Sequence, residues 1–378
     1  MNPFVFGKCV EDDEHFINRE QELVSLKRDM LDSEKIFLIS PRRYGKTSLI
    51  RKAMKELEAE NNVKSAYVDL FKCSTTEQMV GQLAKAVSNF ETTKMEKAMQ
   101  FIRDIIPQLR PKFSVDNTGE LSVTIDSVSK VSETNEMLER SLGYAQNYCD
   151  KANKKAVIVF DEFQEIDHLG GVKIEKLLRS IVQMQGSVSY VFSGSKKHLL
   201  LQMINSQKRA FYGIGPTMHL KKINAEKWMK YLKMRFKKGN YAISEDTIEY
   251  IISKARNVPY YVQCLSHEVW DAAQCDKVVN NALVDAVIES IMSKHGPAAE
   301  GIWGNLPAAQ KGVLEIISRG QKDSLYDTDT LLSQQIKSRQ SAQKAVELLK
   351  DKSILEDNEE GLVIADVWFE EWIRHEMK

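Results

Sequence analysis

Apolar and polar positions change their period several times along this chain, and each change marks an element. Residues 19–31 place Leu23, Leu26, Met30 and Leu31 at helical spacing, with Asn18 positioned to cap them. Residues 36–39 are a continuous apolar run of buried-strand type, and a helical pattern over 47–60 follows after a short loop. A second strand is predicted at 66–70 and a helix at 75–90, with Thr76 or Ser74 as its cap. Helix 133–151 leads into an apolar strand at 157–160. Helix 172–184, strand 189–192, a short helix at 198–204 and a last strand at 218–220 complete the series. Strands separated by helices predict an α/β fold, a parallel sheet with helices on both faces.

Two stretches break this alternation. Residues 110–126 carry period-2 runs on both sides of Asp116-Asn117-Thr118-Gly119-Glu120, the pattern of a β-hairpin inserted in the core domain. From 224 to 295 the pattern is entirely helical, with Asn224 and Ser244 as caps and Pro259 opening a helix. After Gly296-Pro297 a third segment begins: helices at 308–317, 328–336 and 341–350, then two short strands around an acidic turn. Three helices and a hairpin outline a winged helix. Phe369 and Trp372 are expected in its core. The expected domains are therefore a core at 1–222, a helical lid at 223–297 and a winged helix at 298–378.

The chemistry concentrates at two strand ends. After the first apolar strand comes Ser40-Pro41-Arg42-Arg43-Tyr44-Gly45-Lys46-Thr47-Ser48. It carries the tail of the phosphate-loop pattern G-x-x-x-x-G-K-[ST], with Ser40 where the first glycine would stand. Gly45 permits close approach of backbone to phosphate. Lys46 would reach the outer phosphates, the Thr47 hydroxyl would reach Mg²⁺, and the helix N-terminus supplies N–H donors. The strand at 157–160 ends in Asp161-Glu162. A carboxylate at Asp161 can hold Mg²⁺, and Glu162 can polarise a water. Ser193 or Ser195, at another strand end, can sense a terminal phosphate. Open α/β sheets bind ligands at this carboxyl edge.

Composition excludes some classes. The chain of 378 residues has 53 basic and 53 acidic residues, so no global charge favours nucleic acid or membrane. The five cysteines show no C-x-x-C spacing and are expected to be reduced thiols of a cytoplasmic protein. The N-terminus does not read as a signal peptide, and no apolar run approaches the roughly 20 residues of a membrane span. The seven histidines have no metal-ligand spacing. Residues 303–378 hold 10 basic and 14 acidic residues, and the wing turn carries Glu356, Asp357, Glu359 and Glu360. That charge disfavours DNA, although Lys337, Arg339, Lys344, Lys350 and Lys352 lie on the recognition segment.

Taken in order, several motifs resemble the prokaryotic and archaeal ATPases related to the AAA+ and STAND families. They are Phe16-Ile17-Asn18-Arg19-Glu20, the Pro41–Ser48 loop, Phe160-Asp161-Glu162-Phe163-Gln164, Ser193-Gly194-Ser195, Phe211-Tyr212-Gly213 and Asn257-Val258-Pro259-Tyr260-Tyr261. The resemblance implies an AAA+ sheet order, a lid and a winged helix. It implies that Ile17 and Arg19 lie near adenine and that Pro259 packs on the nucleotide. Many relatives carry arginine directly after Phe-Tyr-Gly, where this chain has Ile214. Arg209 is the nearest candidate for a γ-phosphate arginine. The function so implied is a Mg-dependent, slow ATPase acting as a nucleotide-controlled switch, with a protein partner or self-association. The alternative is a DNA-associated ATPase of a mobile element or defence system.

Overall fold

Burial follows the apolar runs: every residue of the strands at 156–161 and 188–194 is shielded from water. Such strands must be covered on both faces, which is the condition of an interior parallel strand. The structure, a computed structural model, describes residues 2–90, 110–115, 121–126, 131–358 and 360–376. By contact density the chain forms two units. One comprises Arg19–Ser40 and Lys46–Leu220; the other comprises Met1–Asn18, Pro41–Gly45 and Lys221–Lys378.

The first unit runs α1 (Glu20–Leu31), β1 (Lys35–Ile39), α2 (Lys46–Asn61), β2 (Lys64–Asp69), α3 (Thr76–Ser88), β3 (Arg110–Val115), β4 (Leu121–Asp126) and α4 (Val131–Ala152). It continues with β5 (Ala156–Asp161), a single turn at Ile166–Leu169, α5 (Gly171–Val182), β6 (Val188–Gly194), α6 (Lys197–Asn205) and β7 (Thr217–His219). Five strands form one sheet in the order β2-β5-β6-β1-β7, all parallel. Asp69 pairs with Asp161, and Leu38 with Ser193, so the chemistry-bearing strand ends share one edge. Beneath that edge Phe37, Phe160, Phe163, Phe192 and Phe211 are fully buried. Phe163 and Phe211 each lie within 5 Å of Phe192, at 4.6 and 4.8 Å between ring centroids. Each such ring contributes about 2 kcal/mol by burial alone. The cluster anchors the backbone on either side of Glu162.

Strands β3 and β4 pair antiparallel from Arg110↔Asp126 to Val115↔Leu121. The expected turn between them, 116–120, lies outside the described residues. Two helix caps differ from the expectation. Asn18 does not cap α1; it has φ +54°, and Arg19 holds the N-cap position with no side-chain capping bond to the helix N–H groups. The cap of α3 is Thr75, whose hydroxyl accepts from the Gln78 N–H at 3.3 Å. The Thr76 hydroxyl instead donates to the Leu169 carbonyl.

The second unit contains α7 (Ala225–Lys238), β8 (Ala242–Ile243), α8 (Glu245–Lys254), α9 (Pro259–Ala272), β9 (Val278–Val279) and α10 (Asn281–Gly304). Then come α11 (Ala308–Ser318), α12 (Thr328–Ser333), α13 (Arg339–Asp351), β10 (Leu355–Asn358), β11 (Gly361–Ile364) and α14 (Val367–Glu376). Asn224 and Ser244 cap α7 and α8 as expected. The stretch is not entirely helical, because β8 and β9 pair in parallel. Nor does the chain break at Gly296-Pro297. Pro297 lies inside α10. Proline there removes one helical hydrogen bond, but Ala299 and Trp303, beyond it, pack on the C-terminal core and carry the helix through. Phe369 and Trp372 belong to that core. The N-terminal residues are tied down as well: Phe4 is buried against Tyr231, Phe236 and Trp270, and Arg235 holds Glu14 at 2.7 Å.

Candidate functional site

The loop between β1 and α2 takes two left-handed residues, Arg43 at φ +70° and Gly45 at φ +86°. A Cβ on Gly45 would meet nothing within 4 Å. The backbone dihedral therefore requires the glycine, not crowding. Ser40 is fully buried, its N–H donates to the Gly194 carbonyl at 3.3 Å, and its φ is not positive. A side chain is consequently tolerated where the strict pattern has its first glycine. Helix α2 begins at Lys46, so its first N–H groups fall on the Lys46-Thr47-Ser48 stretch. Those groups have no partner within the helix and carry its positive dipole end.

Lys46 is 6% exposed, and its ammonium bridges Asp161 and Glu162, the latter at 3.0 Å. Asp161 also accepts from Ser193 Oγ at 2.6 Å, from Thr47 Oγ1 at 3.3 Å and from the Tyr67 hydroxyl. Burial works against ionisation of Asp161, but the Lys46 charge and these hydrogen bonds outweigh it and hold the carboxyl below its ordinary range. Glu162 is lowered in the same way: burial opposes it, Lys46 and hydrogen bonds from Gln164 and Ser195 overcome it. Both groups are carboxylates at neutral pH, with one ammonium between them.

Glu162 stands in the left-handed region, φ 52° and ψ 47°. A non-glycine residue there is unusual and argues that its surroundings dictate the turn. They do so through three donors on one oxygen. Glu162 Oε2 accepts from the Ser195 N–H at 3.1 Å, Ser195 Oγ at 2.7 Å and Gln164 Nε2 at 2.6 Å. A Cβ at Gly194 would collide with the Gln164 amide oxygen and with Leu200. The glycine of Ser-Gly-Ser thus makes room for the Gln164 side chain.

The site therefore gathers Lys46, Thr47, Asp161, Glu162 and Ser193. It adds Tyr67, which no motif singled out, and Gln164, the last residue of the Phe160–Gln164 motif, to which the sequence assigned no role. Gln164 could have been found by its place two residues after Glu162. Nothing local marks Tyr67, which meets Asp161 only because β2 pairs with β5. Thr47 and Asp161 are hard oxygen donors in contact, a donor set that suits Mg²⁺.

Tyr44 is buried, Arg42 and Arg43 are exposed, and Pro259 is the first residue of α9. Arg19 is buried and pairs with Glu22 at 2.8 Å; Ile17 is half-buried in the second unit. Arg209 is held by Glu175 at 2.8 Å and Asp167 at 2.7 Å, neither of which belongs to the Lys46 cluster. Glu175 is fully buried, so Arg209 neutralises a carboxylate inside the sheet unit.

A parallel sheet in this strand order, with a phosphate loop after β1 and an acidic pair ending β5, defines a P-loop nucleotide-binding ATPase fold of the AAA+-related kind. The comparisons agree. Residues 16–265 match the family described as an ATPase domain predominantly from Archaea, and the chain belongs to it. No curated protein matches the sequence. Among solved structures it is similar to the Walker-type ATPase paby2304 of Pyrococcus abyssi, with TM-score 0.67 and 17% identity over 97% of this chain and 99% of that one. It is also similar to the ORC2 protein of Aeropyrum pernix in ADPNP–ADP complexes, with TM-score 0.57, 12% identity and 97% of each chain covered. The ORC1 protein of Aeropyrum pernix in complex with DNA gives TM-score 0.53 and 15% identity over 96% of this chain and 93% of that one. Among the described residues no helix is long and apolar enough to cross a membrane.

Proposed function

We propose that this protein binds ATP with Mg²⁺, hydrolyses it slowly and acts as a nucleotide-controlled switch, residues 223–297 serving as lid and 298–378 as a winged helix. In this reading the Lys46 ammonium leaves its two carboxylates for the outer phosphates. Thr47 and Asp161 hold Mg²⁺, which would neutralise phosphate charge when bound. Glu162, kept in place by Ser195 and Gln164, orients the attacking water and takes its proton. Ser193 stays on Asp161 or turns to the terminal phosphate. Ile17, Arg19 and Pro259 flank the base, and Arg42 and Arg43 meet phosphate.

One observation carries the switch reading: Arg43, in the phosphate loop, is held by residues far along the chain. Its carbonyl accepts from the Tyr260 N–H at 3.2 Å. Its guanidinium lies 5.2 and 4.9 Å from the ring centroids of Tyr260 and Tyr261. Its Nη1 donates to Asp366 Oδ2 at 2.8 Å. Asp366 Oδ1 meanwhile accepts the Trp368 and Phe369 N–H groups at 2.9 and 3.2 Å, capping α14. A phosphate arriving at the loop competes with Asp366 for Arg43, so nucleotide and the C-terminal segment bias each other.

Asp366→Asn tests this. Asparagine caps as well as aspartate, so α14 persists while the charge on Arg43 is lost. Exposed ion pairs contribute at most about 1 kcal/mol, so ATP affinity is expected to rise up to about fivefold by calorimetry. Unchanged affinity means that the C-terminal segment does not compete for the loop.

The alternative, a DNA-associated ATPase, has the DNA-bound relative of similar fold in its favour. Charge argues against it. On the recognition segment Lys350 is paired with Asp357 at 2.5 Å, and Lys352 donates to Gln310 at 3.1 Å. Of the wing acids, Glu359 lies outside the described residues. The full chain is expected to show no saturable binding of random duplex in the micromolar range by low-salt fluorescence anisotropy. Saturable binding that weakens on reversing Lys344 would establish the DNA reading instead. The partner favoured here is a protein or a second copy of the chain.

A further inference from the structure

Five donors converge on the Asp161 carboxylate, and they divide by oxygen. Oδ1 takes the Lys46 ammonium, Ser193 Oγ and the backbone N–H of Glu162, the last at 2.9 Å. Oδ2 takes the Thr47 hydroxyl and the Tyr67 hydroxyl. Lys46 and Thr47 are the two donors that the proposed function sends elsewhere, to phosphate and metal. Once they leave, Oδ1 keeps two donors and Oδ2 keeps one. Rotation about the aspartate Cβ–Cγ bond is intrinsically soft. The direction in which Asp161 presents its oxygens then depends on the three donors that remain, of which Tyr67 alone grips Oδ2.

Tyr67 is built for that task. It lies on β2, in register with Val159 of β5, two residues before the Asp69↔Asp161 pair. Its strand neighbours Ala66 and Val68 turn into the core with α3, so Tyr67 faces the opposite side of the sheet. There the Arg51 guanidinium lies 3.7 Å from its ring centroid. Arg51 sits one helical turn beyond Thr47 on α2, so one helix supplies both the metal-side hydroxyl and the cation over the ring. A cation over the face of a tyrosine fixes the ring, and its charge strengthens the hydroxyl as a donor. A phenol carries its proton at neutral pH, so it is available as a donor.

We propose that Tyr67, braced by Arg51, is a positioning residue that holds Asp161 in its metal-receiving orientation when Lys46 and Thr47 turn to the nucleotide. The inference rests on the ATP·Mg reading above and adds to it a residue outside every phosphate-loop or acidic-pair motif. Its role is indirect, through Asp161.

The test is the Mg²⁺ dependence of nucleotide binding, measured with a fluorescent ATP analogue in EDTA and across a Mg²⁺ titration. Tyr67→Phe keeps the ring, its burial and the Arg51 contact, and removes only the hydroxyl. It is expected to bind metal-free nucleotide like wild type and to need roughly tenfold more Mg²⁺ for the same gain in affinity, the low end for losing a partner of a metal-binding group. Arg51→Met should shift the Mg²⁺ requirement in the same direction by less. A purely structural role would lower the melting temperature and weaken binding in EDTA as well, and that result overturns the proposal. So does a Mg²⁺ requirement equal to wild type. Lys46→Ala in the same titration separates the two levels. If wild type itself binds no nucleotide, the ATP reading fails. If wild type binds and Lys46→Ala does not, an unshifted Tyr67→Phe removes this inference alone.

Discussion

Lys46→Ala is expected to abolish ATP binding and, separately, to make the stability of the sheet unit depend on pH with the opposite slope. The first effect follows from the loop: the ammonium is the one cation that the β1–loop–α2 turn delivers to the Asp161-Glu162 pair. The second follows from burial. Removing it leaves two carboxylates close together, Asp161 at 4% exposure, without counter-charge. Breaking a buried pair in this way destabilises by about 3–5 kcal/mol. In wild type both carboxyls sit below their ordinary values. Their contribution is thus present above the unfolded-state value near 4 and is lost as pH falls through the lowered folded values. In the variant the pair becomes easier to protonate, so acid relieves the repulsion. The stability gap between the two proteins should be widest near pH 7 and shrink toward pH 4. Calorimetric ATP affinity equal in both proteins would remove Lys46 from the phosphate site. A gap that does not narrow in acid would show that its charge is not what holds the pair.

Glu162→Gln is expected to bind ATP and to lose turnover by about 10²–10⁴-fold, the usual range for a positioned general base. The substitution is nearly isosteric. The carbonyl of glutamine can still accept from Ser195 and Gln164, so the left-handed turn and the aromatic cluster beneath it should persist. Asp161, Thr47 and Lys46 are untouched, and Lys46 loses one of its two carboxylates. ATP affinity should therefore stay level or tighten slightly. Phosphate release measured alongside calorimetry decides the matter: wild-type turnover in the variant would place the base elsewhere. Arg209 is a poor second candidate for chemistry, since Glu175 and Asp167 already engage it.

Much of this arrangement is legible locally. The apolar runs at 36–39, 157–160 and 189–192 mark interior strands because residues buried on both faces of a sheet cannot alternate. Gly-Lys-Thr and Asp-Glu are legible because each sits at the end of such a run. The caps at Asn224 and Ser244 are legible because a side-chain oxygen a few residues before a helix acts within one turn. Local reading failed where two local options were nearly equal. Thr75 and Thr76 are both able to cap, and only the Leu169 carbonyl, far away in sequence, draws Thr76 off. Gly296-Pro297 breaks most helices, but here the packing of Ala299 and Trp303 outweighs one missing hydrogen bond. The β8 and β9 strands, two residues each, are too short for any period to register.

By itself, then, the sequence determined the class of fold and the reactive loop and strand end, since each of the two is written within a few consecutive residues. The tertiary structure alone decided which groups surround them. Tyr67 reaches Asp161 across 94 residues and Asp366 reaches Arg43 across 323. The reason is that side-chain partners at a sheet edge are set by strand order and register. These depend on which faces pack together over the whole domain, and no local period encodes them.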